Sequence, residues 1–429
     1  MDVTRRAALR HDLRAWARNV DLPELIRRHG TPLLVLQPER AAARYRALRS
    51  ALPFVRFHYA VKALDHPAVL RSVCGAGGFF EVASRSELDS VQAVGSDLGA
   101  CLYTHPIKRT SDIEDAYRRG VRTFVVDNAR EIEKFIGRPD DIQLLLRLSF
   151  RNPEAKVDLS AKFGAEPADA VDLVAYAIEN GVNVNGLSFH VGSQTNSTRP
   201  YRSAISRCLR LIDQIRLGLD HELGILDIGG GFPVAYRDGV CNADDIIEAI
   251  GTLLAPHAHR LTVLAEPGRY VVASCMTLIS TVIGAGTRQA VPWYYLDDGV
   301  YGGYSNVAWE DVHPPILSLD ELWEHPPLGR TDSSSPPLEP CVLAGPTCDS
   351  IDVIATDYPM PRLTIGDHVI SPMMGAYTLV TACGFNGLPP PTVAQAKGRR
   401  INATGSLGAG NCTTGWDRRP DPAMIVTHQ

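Results

Sequence analysis

Between residues 56 and 270 the sequence alternates short apolar runs with amphipathic segments, and this alternation restricts the fold more than any other feature. The runs are rich in Val, Ile and Leu, as expected of strands that are buried on both faces of a parallel sheet. In chain order they are FHYAV, FFEVA, ACLYT, TFVVD, LLLRL, LSFHV, ILDIG and TVLAE. Eight strand–helix units over about 215 residues fit an α/β fold of the (β/α)8 barrel type better than an open doubly wound sheet.

The segments between the runs carry signals for helix ends. Ser111 can cap a helix that ends before Gly120, and Asn128 together with Glu131 can begin another that ends before Gly137. Both signals predict helices between successive strands, as a barrel requires.

The character of the chain changes after Tyr270, where β-rich segments follow one another without helical spacers. This pattern predicts a mainly β C-terminal domain over residues 273–429, after a barrel over 38–272. Residues 1–37 are expected to form N-terminal helices followed by a strand that joins the later sheet. The Pro- and Ser-rich stretch 312–340 predicts a long surface excursion.

Composition and charge exclude several classes of function. The 429 residues are 45% hydrophobic and 21% charged, with a net charge of −5, and no long basic run indicates a nucleic-acid partner. No apolar run approaches the roughly 20 residues of a membrane span, and the N-terminus lacks the apolar core of a signal peptide. The nine cysteines show neither metal-ligand spacing nor a disulfide framework. We therefore expect a cytoplasmic protein without a metal site.

Polar residues occur at the ends of six of the eight predicted strands. The chemistry of such barrels lies at the carboxyl ends of the strands, and a charged group there needs a partner or a ligand. Each residue by itself could belong to a structural ion pair, but six of them together favour a binding site. They are Lys62, Glu81, Arg147, His190, Asp227 and Glu266.

Three features at or near these strand ends suit a phosphorylated pyridine cofactor. Burial lowers the pKa of a lysine, and we expect this effect to make Lys62 a nucleophile for Schiff-base chemistry. A carboxylate such as Glu266 keeps a pyridine nitrogen protonated, and the protonated ring withdraws electrons from a carbanion. The glycines 229–231 and Arg269 can hold a phosphate through backbone amides and a guanidinium.

The chain resembles the pyridoxal-5′-phosphate (PLP) decarboxylases of the ornithine/diaminopimelate/arginine decarboxylase family, the fold type III group related to alanine racemase. The matching strings fall in family order and cover roughly residues 31–392. They are YAVKA (59–63), EVASRSEL (81–88), VDLSAKFG (157–164), SFHVGS (188–193), LDIGGGFP (226–233), AEPGRYVVAS (265–274), DDGVYGGY (297–304), GPTCDSID (345–352), MGAY (374–377) and FNG (385–387).

The resemblance implies PLP as the cofactor and a role for each matching residue. Lys62 would hold the cofactor as a Schiff base, Glu266 would pair with the pyridine nitrogen, and His190 would stack on the ring. Arg147 and Glu81 would line the cofactor near Lys62. The phosphate would be held by Ser193, Gly230, Gly231, Gly268, Arg269 and Tyr377.

The resemblance also implies a homodimer with shared active sites. Cys348 and Asp349 would come from the partner subunit, with Cys348 returning a proton to the α-carbon after CO2 leaves. A buried inert thiol is the alternative for Cys348. The Gly-Pro-Thr-Cys-Asp match favours the catalytic role, because a tuned thiol is a usable acid.

Two departures from the family pattern bear on the substrate. Glu81 stands where most relatives have Asp, and Glu310 aligns with the acidic residue, usually Asp, that binds the distal amine in ornithine decarboxylases, with Asp311 as an alternative register. No arginine of the kind that diaminopimelate enzymes carry lies between Asp297 and Leu328. With Glu310 and Asp349 as substrate-binding residues, we expect decarboxylation of ornithine, lysine, arginine or a shorter diamino acid.

Two alternatives remain open at this point. One is a decarboxylase of a larger biosynthetic intermediate, either a conjugated diamino acid or a carrier-linked glutamyl group. The other is a catalytically silent homologue that binds other proteins. Retention of Lys62, Glu266, Arg269, Cys348 and Asp349 argues against the silent homologue.

Overall fold

A computed structural model describes residues 3–152, 158–323 and 337–396. The end of the predicted C-terminal domain, 397–429, and the middle of the Pro- and Ser-rich excursion, 324–336, lie outside the described residues.

Eight parallel strands close into a barrel, which confirms the fold expected from the alternating apolar runs. Each strand pairs with the next, and the last pairs with the first through Val55–Val263. A buried cluster of Leu102, Val125, Leu145 and Leu264 fills the barrel with side chains. The strands are β2 (Val55–Ala60), β3 (Phe79–Val82), β4 (Leu102–Tyr103), β5 (Thr123–Val126), β6 (Gln143–Leu148), β7 (Val184–Phe189), β8 (Ile225–Asp227) and β9 (Thr262–Ala265).

Helices connect the barrel strands and cover their outer faces. The side chain of Asn128 accepts from the Glu131 amide at 3.1 Å, so Asn128 caps its helix as predicted, although that helix ends early, at Glu133. The cap predicted at Ser111 is wrong, because the extended residue before that helix is Arg109 and Ser111 lies inside the first turn. The helices are α3 (Pro38–Ala51), α4 (Pro67–Gly75), α5 (Arg85–Ala93), α6 (Thr110–Arg118), α7 (Ala129–Glu133), α8 (Ala170–Glu179), α9 (Arg199–Leu219), α10 (Ala243–Leu254) and α11 (Arg269–Val272).

A second, mainly antiparallel sheet contains the strands that flank the barrel in sequence. Its central strand, β10, pairs with β1 from the N-terminal segment and with β11 and β15 from the residues after the barrel. These pairings join the two parts of the chain in one sheet. Its strands are β1 (Leu33–Leu36), β10 (Met276–Arg288), β11 (Val291–Leu296), β12 (Leu317–Ser318), β13 (Glu339–Ala344), β14 (Val353–Met360), β15 (His368–Pro372) and β16 (Thr392–Gln395).

Two N-terminal helices, α1 (Val3–Val20) and α2 (Leu22–His29), pack on this sheet, and a short helix, α12 (Ser305–Glu310), follows β11. Leu13 and Trp16 join a buried apolar cluster with Ile370 of β15. A buried ion pair between Arg6 and Glu321, 2.7 Å long, fixes α1 to the sheet domain. No helix among the described residues is both long and apolar enough to cross a bilayer.

Candidate active site

Lys62 lies directly after β2, in a single 3-10 turn, and its amine faces the next strand. Its Nζ donates to Oε2 of Glu81 at 2.7 Å, and the hydroxyl of Thr104 donates to Oε1 of the same carboxylate. Glu81 is fully buried, whereas 39% of the Lys62 side chain remains accessible. The lysine side chain is therefore partly accessible to solvent, whereas the carboxylate that it contacts is completely buried.

The structure contradicts the expected direction of the Lys62 pKa. Burial lowers the pKa of this amine, but the carboxylates of Glu81 and Glu266 outweigh it and raise the pKa above its usual value. Only the burial of Lys62 can be predicted from its local sequence, because the two carboxylates reach it from the ends of other strands. Lys62 is thus held as an ammonium ion by this constellation.

Glu266 follows β9 and lies beside a second buried carboxyl group, Asp227, at the end of β8. Burial and the neighbouring Asp227 raise the pKa of Glu266 well above its usual value. Asp227 accepts from the Gly229 amide at 2.9 Å through Oδ1, and its Oδ2 has no donor among the described residues. Two adjacent buried carboxyl groups cannot both ionise readily, so the pair retains a proton between them.

The glycines after β8 permit a close approach of three backbone segments. A Cβ on Gly230 would lie 2.6 Å from the Glu266 carbonyl oxygen and 3.1 Å from the His190 ring. Gly231 has a φ of +106°, and a Cβ there would lie 2.4 Å from the Gly192 carbonyl oxygen. Neither position tolerates a side chain, so no side chain of these two residues covers the backbone amides of the loop.

His190 projects from the end of β7 beside this glycine loop. Its Nδ1 accepts from the Gly192 amide at 3.0 Å, which assigns the ring proton to Nε2. Burial, with Arg147 and Lys62 nearby, lowers the His190 pKa well below its usual value. The ring is therefore a neutral, flat surface at physiological pH.

Arg269 begins α11, and its guanidinium is enclosed by aromatic rings. Its Cζ lies 4.8 Å from the Tyr377 ring and 5.8 Å from the Tyr236 ring. Tyr377 has a φ of 53°, a costly conformation for a tyrosine, and its backbone amide donates to Ala63 beside Lys62 at 3.0 Å. A Cβ on Gly268 would lie 3.0 Å from the Ala63 Cβ and 3.3 Å from the Tyr377 hydroxyl, so this position is closely packed.

Glu310 reaches this same group of residues from the end of α12. Its Oε2 forms an ion pair with the Arg269 guanidinium and accepts from the Ser193 hydroxyl at 3.3 Å. The family resemblance implies phosphate contacts for Ser193 and Arg269 and a substrate contact for Glu310. The structure brings all three together at one place.

Arg147 lies near the carboxylates of this site, whereas Cys348 and Asp349 lie apart from it. Arg147, on β6, stacks over the Phe163 ring at 5.5 Å, and burial lowers its pKa despite the carboxylates around it. Cys348 and Asp349 lie on the β13–β14 connection, and no hydrogen bond or ion pair among the described residues joins either of them to Lys62 or Arg269.

Cys348 and Asp349 have their own partners in the C-terminal domain. Cys348 is exposed, and its amide and Sγ both approach Oδ1 of Asn386, at 3.2 and 3.4 Å. The Tyr301 hydroxyl donates to Asp349 at 2.5 Å and lowers the Asp349 pKa, so this carboxylate is ionised at neutral pH.

The barrel-side constellation fits PLP. Arg269 Nε is a buried donor without a partner among the described residues, and a phosphate oxygen would satisfy it. The glycine loop after β8 carries no side chains that would cover its backbone amides, and Glu266 would offer a carboxyl group to a ring nitrogen. A (β/α)8 barrel with an amine, a carboxyl group and an anion cradle at its strand ends defines the class of barrel enzymes that bind PLP.

Comparison with known proteins gives the family. A family model described as the pyridoxal-binding domain of pyridoxal-dependent decarboxylases matches residues 39–273. The chain belongs to this family of PLP-dependent amino-acid decarboxylases, close to its ornithine decarboxylase-like members, and PLP is its cofactor.

Three relatives illustrate the range of the family. Lysine/ornithine decarboxylase of Selenomonas ruminantium is 36% identical over 86% of this chain and 90% of the relative. The crystal structure of lysine/ornithine decarboxylase from Vibrio vulnificus complexed with cadaverine has a TM-score of 0.80 and 39% identity, covering 88% of this chain and 98% of that one. Antizyme inhibitor 2 of Xenopus laevis is 33% identical over 81% of this chain and 77% of the relative.

Three residues in or near the site were missed or left without a role. Asp227 was recognised as a polar strand-end residue, but its pairing with Glu266 was not. Thr104 ends the run ACLYT, where a polar strand-end residue was the available signal. Tyr301 lies within the matching string DDGVYGGY, but its contact with Asp349 spans 48 residues of sequence and could not be predicted.

Proposed function

We propose that this PLP-dependent decarboxylase of a cationic amino acid acts on lysine or ornithine. The observation that carries the proposal is the presence of two acidic residues, Glu310, which contacts Arg269, and Asp349, which accepts from Tyr301; each would offer a carboxylate to a distal ammonium group. Asp349 has a lowered pKa because Tyr301 donates to it, so it carries a charge at the pH at which the substrate's distal amine is protonated. The names of the Selenomonas and Vibrio relatives favour the same two amino acids.

The barrel residues would hold the cofactor and control its protonation. Lys62 Nζ would bind the cofactor covalently, with Glu81 and Arg147 beside it, and His190 would present its neutral ring to the cofactor's face. Glu266 would keep the pyridine nitrogen protonated, with Asp227 as its buried neighbour. When bound, the protonated pyridine ring accepts the electrons that the departing CO2 leaves behind.

The phosphate would lie against Arg269, Ser193, Tyr377 and the amides of Gly230, Gly231 and Gly268. Glu310 uses the same guanidinium and the same hydroxyl. Because a carboxylate and a phosphate repel each other, Glu310 would turn away from Arg269 as the phosphate binds. Its carboxylate would then be free to bind the substrate's distal cation.

We further propose that the active site is completed by a second copy of the chain in a head-to-tail homodimer. Cys348 would give its thiol proton to the substrate's α-carbon, and Asp349 would bind the distal amine, both in the partner's site. Apolar exposure around these residues supports this arrangement: Ile351 is 63% exposed, and Phe385, stacked on Tyr301 with centroids 4.4 Å apart, is 38% exposed.

Complementation tests the shared site. Inactive Lys62→Ala and Cys348→Ala chains, mixed and allowed to exchange, should regain activity at up to about a quarter of all sites, because some mixed dimers contain one intact site. The control is each variant incubated with itself. Mixed dimers that form without regaining activity would contradict the shared-site arrangement.

The substrate is tested by measuring CO2 release from lysine, ornithine, arginine and a shorter diamino acid under the same conditions. We expect lysine and ornithine to have the highest kcat/KM. Preference for an amino acid without a distal cation, together with an unchanged kcat/KM in Glu310→Gln, would favour the alternative of a larger biosynthetic intermediate.

A protein-binding role without catalysis is tested by the absorbance of the purified protein. An enzyme should be yellow and change its spectrum when substrate is added, whereas a silent homologue should not release CO2 from any amino acid.

We also propose a cytoplasmic location and a role in polyamine formation. The eight cysteines that the structure describes are all free, as in a reducing compartment.

A further inference from the structure

Thr104 is held beside Glu81 by the barrel's own hydrogen bonding. Its backbone amide donates to the Val82 carbonyl at 3.0 Å, which extends the pairing of β3 and β4 by one residue. Only 7% of Thr104 is exposed, and its hydroxyl donates to Oε1 of Glu81. The other oxygen, Oε2, accepts from Lys62 Nζ.

We propose that Thr104 is a positioning residue for Lys62: its hydroxyl fixes the Glu81 carboxylate so that Oε2 faces the lysine nitrogen. The proposal rests on the proposed role of Lys62 in holding the cofactor. Thr104 would act only through Glu81, since its hydroxyl donates to that carboxylate and not to the lysine.

The length of the acidic side chain gives the physical reason. Glutamate has one more rotatable bond than aspartate, so its carboxylate can occupy more positions at the end of β3. A donor on Oε1 removes that freedom and satisfies an oxygen that is otherwise buried without a partner. The hydroxyl at position 104 thus complements the longer acid at position 81.

The consequence for Lys62 follows from the charges around it. Glu81, Glu266 and Tyr377 face the amine, and Glu87, Asp227 and Arg147 lie around Glu81. Burial lowers the Lys62 pKa, and the carboxylates raise it above the ordinary value, with Glu81 the stronger of the two. If Glu81 loses its fixed position, the Lys62 pKa falls and a larger fraction of the amine is neutral at a given pH.

The test measures how fast Lys62 bonds to the cofactor. Cofactor-free protein is mixed with PLP, and the absorbance of the lysine-bound cofactor is followed across neutral to mildly alkaline pH. Only the neutral amine reacts, so each unit by which the pKa falls raises the rate about tenfold below the pKa. We expect Thr104→Val, which has nearly the same shape, to raise the rate about three- to tenfold and to shift the pH profile downwards.

Two matched variants separate positioning from packing. Thr104→Ser keeps the hydroxyl and should retain the wild-type pH profile. In a Glu81→Asp background the shorter acid no longer reaches both partners, so adding Thr104→Val should change the rate less than about twofold. An unshifted profile in Thr104→Val, or an equal effect of Thr104→Val in both backgrounds, would overturn the proposal.

Lys62→Ala distinguishes failure of this proposal from failure of the proposed function. If the absorbance of bound cofactor still develops in Lys62→Ala, Lys62 is not the attachment point, and both proposals fall. If it develops only when Lys62 is present and Thr104→Val leaves the pH profile unchanged, the cofactor role stands and the Thr104 proposal alone is refuted.

Discussion

Replacing Glu310 with glutamine should tighten PLP binding and destabilise the cofactor-free protein at the same time. Arg269 and Glu310 form an ion pair with side chains only 5% and 19% exposed. Glutamine can still accept a hydrogen bond but carries no charge, so the pair loses the difference between a charge-assisted and a neutral bond. That difference is about 1–2 kcal/mol.

The same free energy enters both effects because, in the proposed arrangement, the phosphate displaces Glu310 from Arg269. Removing about 1–2 kcal/mol from this competition should lower the PLP dissociation constant about 5- to 30-fold. The unfolding free energy of the cofactor-free protein should fall by a similar amount, which lowers Tm by a few degrees. The assays are a PLP titration followed by absorbance and a thermal melt of cofactor-free protein.

Two controls isolate the phosphate site. Pyridoxal, which lacks the phosphate, should bind Glu310→Gln and the wild type equally well. Asp311→Asn removes the neighbouring carboxylate, which lies 2.7 Å from His313, and should leave PLP affinity unchanged. Unchanged or weaker PLP binding by Glu310→Gln, or an equal gain for pyridoxal, would refute the competition.

Three further predictions concern catalysis. Lys62→Ala should lose the absorbance of lysine-bound cofactor and nearly all turnover; near-native decarboxylation would rule out its proposed role. Glu266→Gln should bind PLP but slow the chemical step at least about thirtyfold, since it loses a charge-assisted bond of roughly 2–3 kcal/mol; an unchanged single-turnover rate would contradict this. Tyr301→Phe removes the donor that lowers the Asp349 pKa, so as pH falls KM should rise at a higher pH than in the wild type; coincident KM profiles would refute it.

The barrel and the strand-end positions of its polar residues could be predicted from the sequence. Strand spacing and burial on both faces are local properties, and each apolar run carries its own signal. A residue such as Lys62 or Glu266 directly after such a run must lie at the carboxyl rim once the sheet closes. The sequence therefore determined which side chains share the rim.

Contacts between those side chains were decided only by the tertiary structure. Lys62 is an ammonium because carboxylates from β3 and β9 face it, and local burial alone predicted the opposite shift of its pKa. Glu310 contacts Arg269, which lies 41 residues away in sequence. The guanidinium that it contacts is the one proposed to bind the phosphate. Such contacts depend on barrel closure, strand register and side-chain reach, and differences of an ångström in these decide which charges meet.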